Sequence, residues 1–434
     1  MKNLYNNKVL MTYFIIQPIV DIITGIMKYN TNISLSLAMI IRFLFIIYCG
    51  IYILKSKDKK VYIFILIWIF YFTISTVGNF YIKNNFSMIH HIYNLFRMAY
   101  FEIVLLFFYL YMSKNKSIDN KVFTQMGLIV GISFLISLFT KTSFCSYAEF
   151  DNCLERGYQG YFFSANEYGS ILIALLGYQI IEFLRNKKII NFLVLLMLVL
   201  YLCLIGTKTG IIGLLGILII FILYHLITSI FIDKEKRINN KCVLVLFVIF
   251  SVVTLSIKKL PIYFNLYTQY QVVVETEKNE NPEITNEEIK VEVSKSLVFN
   301  GRSDYVAVNK VIYKEAPLFN KLFGITDQDN YYDGIKVSQV NERDFHDLYM
   351  FYGIVGLIVE LILPVYLFIE LIKKIIKNIK VLLDDEIVIL GITLALLFAV
   401  GYMAGHSLLH PAVAFYIAYI INDLIKKVGN LSWI

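Results

Sequence analysis

The sequence predicts an all-α polytopic membrane protein of about twelve transmembrane helices, with both termini cytoplasmic and one large extracytoplasmic loop. Three observations predict it. Hydrophobic residues are 58% and charged residues 17% of the 434, with mean hydropathy +0.67, a balance foreign to soluble globular chains. Apolar runs of about 18 residues or more recur, each long enough to cross about 30 Å of hydrocarbon. The basic residues, finally, gather on alternate connections.

Spans fall at roughly 8–27, 33–54, 61–82, 93–112, 122–140, 165–184, 189–206, 209–232, 242–257, 347–372, 386–405 and 408–425. One set of faces carries Lys2 and Lys8, Lys55 to Lys60, Lys114, Lys116 and Lys121, then Arg185, Lys187 and Lys188. It continues with Lys234, Lys236, Arg237 and Lys241, Lys373 to Lys380, and Lys426 with Lys427. The opposite connections hold only an occasional base such as Lys28, Lys83, Lys141 or Lys208. Positive charge stays inside, so this pattern orients the chain. The net charge of +8 is thereby an orientation signal, and nucleic acid is not an expected partner. The chain divides into residues 1–257 (nine spans), 258–346 (the large loop) and 347–434 (three spans). The first apolar run lacks an A-x-A-like end and reads as a retained span.

The 32 Tyr and 34 Phe suit interfacial belts and a glycan- or lipid-facing cavity. Cys49, Cys203 and Cys242 lie in apolar runs. Cys145 and Cys153 share one outer loop and either pair in an oxidising compartment or stay reduced. In the large loop, Asn281-Pro282 breaks the chain and Thr285-x-x-Glu288 supplies a capping box. Ile289, Val293 and Leu297 then give an amphipathic helix over 285–299, followed by a second helix over 302–315.

Ionisable groups inside spans are expensive and are functional candidates. Asp21 and Arg42 are placed to pair with each other, which is a structural reading. Arg97 and Glu102 sit near a span end, where snorkelling is the default. Arg156-Gly157-Tyr158-Gln159-Gly160 precedes Asn166, which is expected to cap the sixth span, and an Arg beside a helix start suits phosphate. Gly206-Thr207-Lys208-Thr209-Gly210 places one cation at a second outward turn. The Gly-x-x-x-x-Gly-Lys-Ser/Thr phosphate loop is absent, so nucleotide hydrolysis is not supported.

His346, flanked by Asp344 and Asp347 at the outer start of a span, is the candidate general base. No His or Cys stands at metal-ligand spacing from it, so no metal is expected there. His406 and His410 lie four apart on one helical face and raise the question of a metal, though Pro411 favours helix-end packing. No carboxylate pair suited to glycoside hydrolysis is evident.

In order along the chain these clusters resemble the O-antigen ligase/O-antigen polymerase superfamily. The likeness rests on four blocks: RGYQGYFFSAN (Arg156 to Asn166), GTKTGIIGLLG (Gly206 to Gly216), Gly301-Arg302 with Gly324, and HDLYMFYGIVG (His346 to Gly356). Lys208 stands where the family commonly has Arg, keeping the charge but losing the bidentate fork. Asp347 replaces the family's usual Asn. The resemblance implies a GT-C-like membrane glycosyltransferase at the outer face of a bacterial plasma membrane, with no cofactor. Its donor would be an oligosaccharide on undecaprenyl pyrophosphate. The acceptor would be another lipid-linked repeat (polymerase, as in capsule-type polysaccharide) or a different carrier (ligase). Arg156, Lys208 and Arg302 would be the cations, Asn166 and Asp347 would bind substrate, and His346 would take the proton. A chain-length regulator and a flippase of the same pathway are the implied protein partners.

Two other classes compete. A lipid-linked-oligosaccharide flippase would show related halves and broken mid-membrane helices, whereas here the polar material concentrates in one loop. A structural scaffold would not need His346 beside such basic residues.

Overall fold

Twelve long helices follow the predicted spans, and a cap of shorter helices covers one end of the bundle. The computed structural model describes residues 7–30, 36–82, 87–115, 117–147, 153–231, 240–280, 285–299, 302–324, 331–332, 335–336 and 341–429. Lys2, Lys83, Lys116, Lys234, Lys236, Arg237, Asn281, Pro282 and Gly301 lie outside the described residues.

The chain runs α1 (Asn7–Asn30), α2 (Leu37–Leu54), α3 (Lys59–Ile82), α4 (Met88–Lys114) and α5 (Lys121–Phe139). A small antiparallel pair, β1 (Phe144–Cys145) and β2 (Tyr158–Gly160), then encloses the one-turn helix α6 (Cys153–Arg156). There follow α7 (Ala165–Arg185), α8 (Ile189–Leu204), α9 (Lys208–Phe231) and α10 (Asn240–Ser256). The cap is α11 (Pro261–Glu280), α12 (Asn286–Phe299), α13 (Arg302–Glu315), α14 (Leu318–Phe323), the pair β3 (Tyr331–Tyr332) and β4 (Ile335–Lys336), and α15 (Asp344–Phe351). The chain closes with α16 (Gly353–Lys377), α17 (Asp385–Met403) and α18 (Pro411–Val428).

Among the described residues, ten helices are long and apolar enough to cross a bilayer. The other two that fill predicted spans fall short for visible reasons. Helix α8 has only 16 residues, and α18 carries Asp423, Lys426 and Lys427 in its last turns. Helices α7 and α4 form the centre, buried over 94% and 83% of their most apolar stretches. Between lipid-exposed helices apolar burial supplies little drive, so shape and ring packing decide. Phe123 stacks on Tyr178 at 3.7 Å, and Phe14, Phe108, Phe415 and Tyr419 interlock beside them. Peripheral α2 and α3 turn Phe43, Leu44, Leu66 and Phe70 outward, as lipid-facing surfaces should.

The predicted cap helices are present, and the capping box is made: Glu288 accepts from the Thr285 N–H at 2.9 Å, and Thr285 Oγ1 accepts from the Glu288 N–H. Two features differ from expectation. Helix α11 occupies a stretch expected to be loop; its sequence lacks an apolar period because only Pro261 and Ile262 of it are buried. Pro261 at its first position is the one local start signal. The span expected at 347–372 is instead two helices, α15 and α16, parted at Gly353, whose φ of +73° is left-handed. A Cβ there would strike the Leu322 carbonyl, so α14 can press against the break only because the residue is glycine. Asp21 and Arg42 pair at 2.6 Å as predicted.

Candidate active site

Two loops meet backbone to backbone beneath the cap. Gly157 (φ +111°) and Gly206 (φ +73°) face each other so closely that a Cβ on either would strike the other loop's carbonyl groups. The Asn265 amide of α11 locks the contact, donating to the Arg156 and Gly206 carbonyls, each at 2.9 Å. Ser146 Oγ adds a bond to the Ile205 carbonyl. A disulfide between Cys145 and Cys153 closes the β1–α6 loop, deciding the pairing that the sequence left open. Arg156 and Lys208, 52 positions apart in sequence, thus sit on one rigid seam.

Lys208 opens α9, and its Nζ donates to Gln269 Oε1 at 2.7 Å and to the Leu297 carbonyl at 2.8 Å. Gln269 in turn donates to the Ser296 carbonyl at 2.6 Å, so the α11–α12 pair is laced over the lysine. Arg156 Nη1 reaches Asn265 Oδ1 at 3.4 Å. A cavity of about 170 Å³ is lined by Tyr147, Asn166, Lys208 and Arg302, with apolar walls from α9 and α17. A neighbouring one of about 170 Å³ is lined by Tyr147, Arg156, Lys208, Asn265 and Gln269. Tyr147 and Lys208 belong to both. Burial pushes the Tyr147 phenol up, while the Arg302 and Arg156 charges pull it back; this residue was not anticipated, and it joins the three predicted cations.

Arg302 opens α13 and is buried. Its Nη2 donates to Glu342 Oε2 at 2.9 Å, and its Nε has no partner among the described residues. Glu342 is held near a pKa of about 2, first by the adjacent His406 imidazole and then by the Arg302 charge, against its burial. His406 Nε2 lies 3.7 Å from Glu342 Oε2, and its Nδ1 is 3.1 Å from His410 Nε2. His410 Nδ1 is 3.1 Å from Glu167 Oε1. Burial opposes a charge on His406, but the adjacent Glu342 carboxylate and those of Glu167 and Asp344 overcome it and raise its pKa. Glu342 (φ +53°) and His406 (φ +62°) both hold left-handed backbone, as Lys57 and Lys141 do elsewhere.

His406 and His410 therefore lie in a turn between α17 and α18, not on one helical face as expected. Glu167, His406 and His410 bring ligand atoms within 4.8 Å of one another. The arrangement suits a proton-bearing chain better than a metal, because Arg97 already donates to His410 Nε2 at 3.0 Å and the two imidazoles bond each other. Arg97 also donates to the Leu409 carbonyl, so it points into the protein and does not snorkel. Glu102 is likewise buried, its oxygens unpartnered among the described residues.

Asn166 lines the first cavity, but it is not the helix cap: Ala165 is already helical, which puts the cap position at Ser164. His346 lies in the first turn of α15, outside both cavity linings, with its ring 6.2 Å from that of Tyr402. Its Nδ1 is buried and unpartnered among the described residues. Burial first, then the charges of Arg343 and Lys310, lower its pKa and so favour the neutral imidazole. Asp347 does not face the cavities. It accepts from Asn341 N at 2.8 Å, Asn341 Nδ2 at 3.0 Å and Arg343 N at 3.2 Å, while burial pushes its carboxyl up to about 7. Asp344 accepts from Ser407 N and Leu408 N, tying α15 to the His406 turn.

Such a site offers fixed cations and, behind one of them, a chain of carboxylates and imidazoles in Glu342, His406, His410 and Glu167, with the His346 imidazole outside the cavity linings. No curated protein matches the chain. The family described as O-antigen ligase like membrane protein matches residues 2–430. Nearly the whole chain is covered by that match, and the protein belongs to this family of polytopic membrane proteins.

Proposed function

We propose that the protein is a polysaccharide polymerase of the capsule or O-antigen type. It transfers a glycan from undecaprenyl pyrophosphate to a sugar hydroxyl of a second lipid-linked repeat, at the extracytoplasmic face of a bacterial plasma membrane. The observation that carries this reading is the meeting of Arg156, Lys208 and Arg302 around Tyr147 under the α11–α12 cap. Three cations on rigid supports suit a diphosphate, whose negative charge grows as the anomeric C–O bond breaks. The disulfide beside Arg156 supports an oxidising, outward-facing compartment.

The acceptor oxygen attacks the anomeric carbon, the bond to the diphosphate oxygen breaks, and polyprenyl diphosphate leaves with the electron pair. His346 takes the hydroxyl proton; its neutral state and unpartnered Nδ1 suit a base. Direct displacement inverts the anomeric centre, and the fixed cations do the work that a metal would otherwise share.

Purified protein given a synthetic polyprenyl-diphosphate repeat should build a ladder of lengths, and Arg302→Ala should abolish it while the protein still melts cooperatively. Single-step transfer to a non-identical acceptor would replace the polymerase with a ligase. Flux across liposomes without new glycosidic bonds would overturn the enzyme.

A further inference from the structure

A larger cavity of about 280 Å³ lies on the other side of Glu167 and His410, between α1, α2, α4, α7 and α18. Lys28, Arg42 and Arg97 line it, against Asp21 and Glu167. Three helices of 18 or more residues also begin on its wall: α2 through Ala38 and Met39, α7 through Ser164 and Tyr168, and α18 through Pro411 and Ala412. Each start adds partial positive charge, although the Ala38 and Met39 N–H groups of α2 already donate to Thr24 Oγ1 and Ser36 Oγ. The side chains add donors lacking acceptors. Tyr168 is 3% exposed and its hydroxyl has no partner among the described residues; the Arg42 Nε is buried and equally unpartnered. Orphaned buried donors are rare and call for an explanation. An acceptor-rich anion would satisfy them, and the charges favour one: three fixed cations and three helix starts outweigh two carboxylates, one already bound to Arg42.

Apolar Phe96 and Ile171 also line this chamber. The same helices present Ile19, Ile23, Phe43 and Leu44 outward, as lipid-facing segments do. A headgroup entering here would leave its chain beside an apolar surface.

We propose that this cavity is a second oxyanion site, separate from the Arg156–Lys208–Arg302 cradle, and that it takes the phosphate or diphosphate headgroup of a lipid. On the polymerase reading that lipid is the acceptor-bearing carrier. Only the naming of the lipid rests on that reading. The chain Glu342–His406–His410–Glu167 joins the two chambers, so headgroups would flank the place where acceptor and donor sugars meet.

The test is equilibrium binding of farnesyl diphosphate to the full-length protein in nanodiscs, with inorganic pyrophosphate as competitor. Two molecules should bind per chain. Lys28→Gln, a half-buried position whose Nζ lies 3.9 Å over the Phe163 ring, should weaken one of them about threefold to tenfold. The charge-neutral double change Asp21→Asn with Arg42→Gln, which leaves no lone buried charge, should weaken the same one at least tenfold. Arg302→Ala should weaken only the other. A single bound molecule that depends on Arg302, or binding that ignores both the Lys28 and the Asp21/Arg42 changes in a protein of unchanged melting temperature, overturns the proposal. Displacement from the Lys28-dependent site by pyrophosphate as strongly as by the lipid overturns its assignment to a lipid. If instead the Arg302-dependent site alone is missing, the transferase reading falls and this cavity stands.

Discussion

The two cationic chambers hold their charges in different ways. In the cavity beside Tyr147, Lys208 is held by an amide oxygen and a carbonyl, and Arg156 lies against an amide oxygen. Arg302 has a carboxylate, but it shares Glu342 with His406. In the larger cavity Arg42 has Asp21 at 2.6 Å to itself, and Arg97 is backed by His410, which bonds Glu167. Neutral partners orient a cation without cancelling it, which on the proposed reading would suit a group whose negative charge grows during reaction. A dedicated carboxylate such as Asp21 on Arg42 damps it, which on the same reading would suit holding a group that does not change. On that proposed reading, the first chamber would serve a transition state and the second a ground state.

The largest expected effects fall on the first chamber. His346→Ala should lower polymerisation by about 10²–10⁴-fold, the usual range for a positioned base. The imidazole pKa is lowered, so the neutral base form prevails above it, and the rate should fall as pH drops through that value. The acid limb should vanish in the variant. A pH–rate profile with the limb intact in His346→Ala would remove the residue from the reaction. Arg302→Ala should cost about 10²–10³-fold in kcat, as for loss of one preorganised charge donor. Arg302→Lys should recover only part, because the fork is lost. Equal kcat losses from Asp21→Asn with Arg42→Gln would erase the distinction between the chambers; a rise in KM alone would sharpen it.

Gly157→Ala should act by geometry. A left-handed φ of +111° and a backbone carbonyl where the Cβ would go together imply about 2–3 kcal/mol of strain. Relief requires the 156–157 and 205–206 loops to part, carrying Arg156 away from Lys208. A fall of about tenfold in activity with a lower melting temperature is expected. A Gly157→Ala protein with unaltered activity would show that the seam does not set the cation spacing.

The frame was legible in sequence because the bilayer demands it: long apolar runs, with lysines on alternate connections, leave little choice. The three cations were legible because each interrupts an apolar context at a loop. Their partners were not. Tyr147, Asn265 and Gln269 are ordinary loop and helix residues whose value comes only from the approach of Gly157 to Gly206. Helix α11 was not legible because only Pro261 and Ile262 are fully buried, and the face that it turns inward carries polar Asn265 and Gln269 instead of an apolar period. The link from Arg302 through Glu342 to His406 joins segments some 40 and 64 residues apart, and no local spacing announces it. Asn166 and Asp347 were placed by their neighbours in sequence; one faces the cavity without capping, and the other serves its own helix start.

His406→Gln sharpens the comparison by acting on the wall between the chambers. The folded-state pKa of His406 is raised. Its stabilisation is therefore complete below the ordinary imidazole value of about 6.5 and is lost as pH rises through the folded value. Wild-type melting temperature should decline on that alkaline side, and the variant's should not. With a neutral His406, Glu342 would be left to Arg302 alone, so activity should also fall as pH rises. A loss of about threefold to tenfold at neutral pH is expected, with the alkaline limb gone. An unchanged alkaline limb would disconnect the imidazole from Arg302.

The smallest effect should come from the disulfide, which braces only one chamber. Cys145→Ser removes a bridge across a short loop, for which chain entropy predicts about 2–3 kcal/mol relative to the unfolded state. Much of the seam would persist without it, since Ser146 and Asn265 still bind the Ile205, Arg156 and Gly206 carbonyls. A drop of a few degrees in melting temperature and no more than a few-fold loss of activity are expected, with reductant reproducing both in the wild type. Cys49, Cys203 and Cys242 are buried and should not add to the reductant's effect. Binding at the Lys28-dependent site should not move, because none of its walls is tied by that bridge. A parallel loss at both sites on reduction would mean that the chambers share one mechanical support, and the division of labour between them would have to be redrawn around the β1–β2 loop.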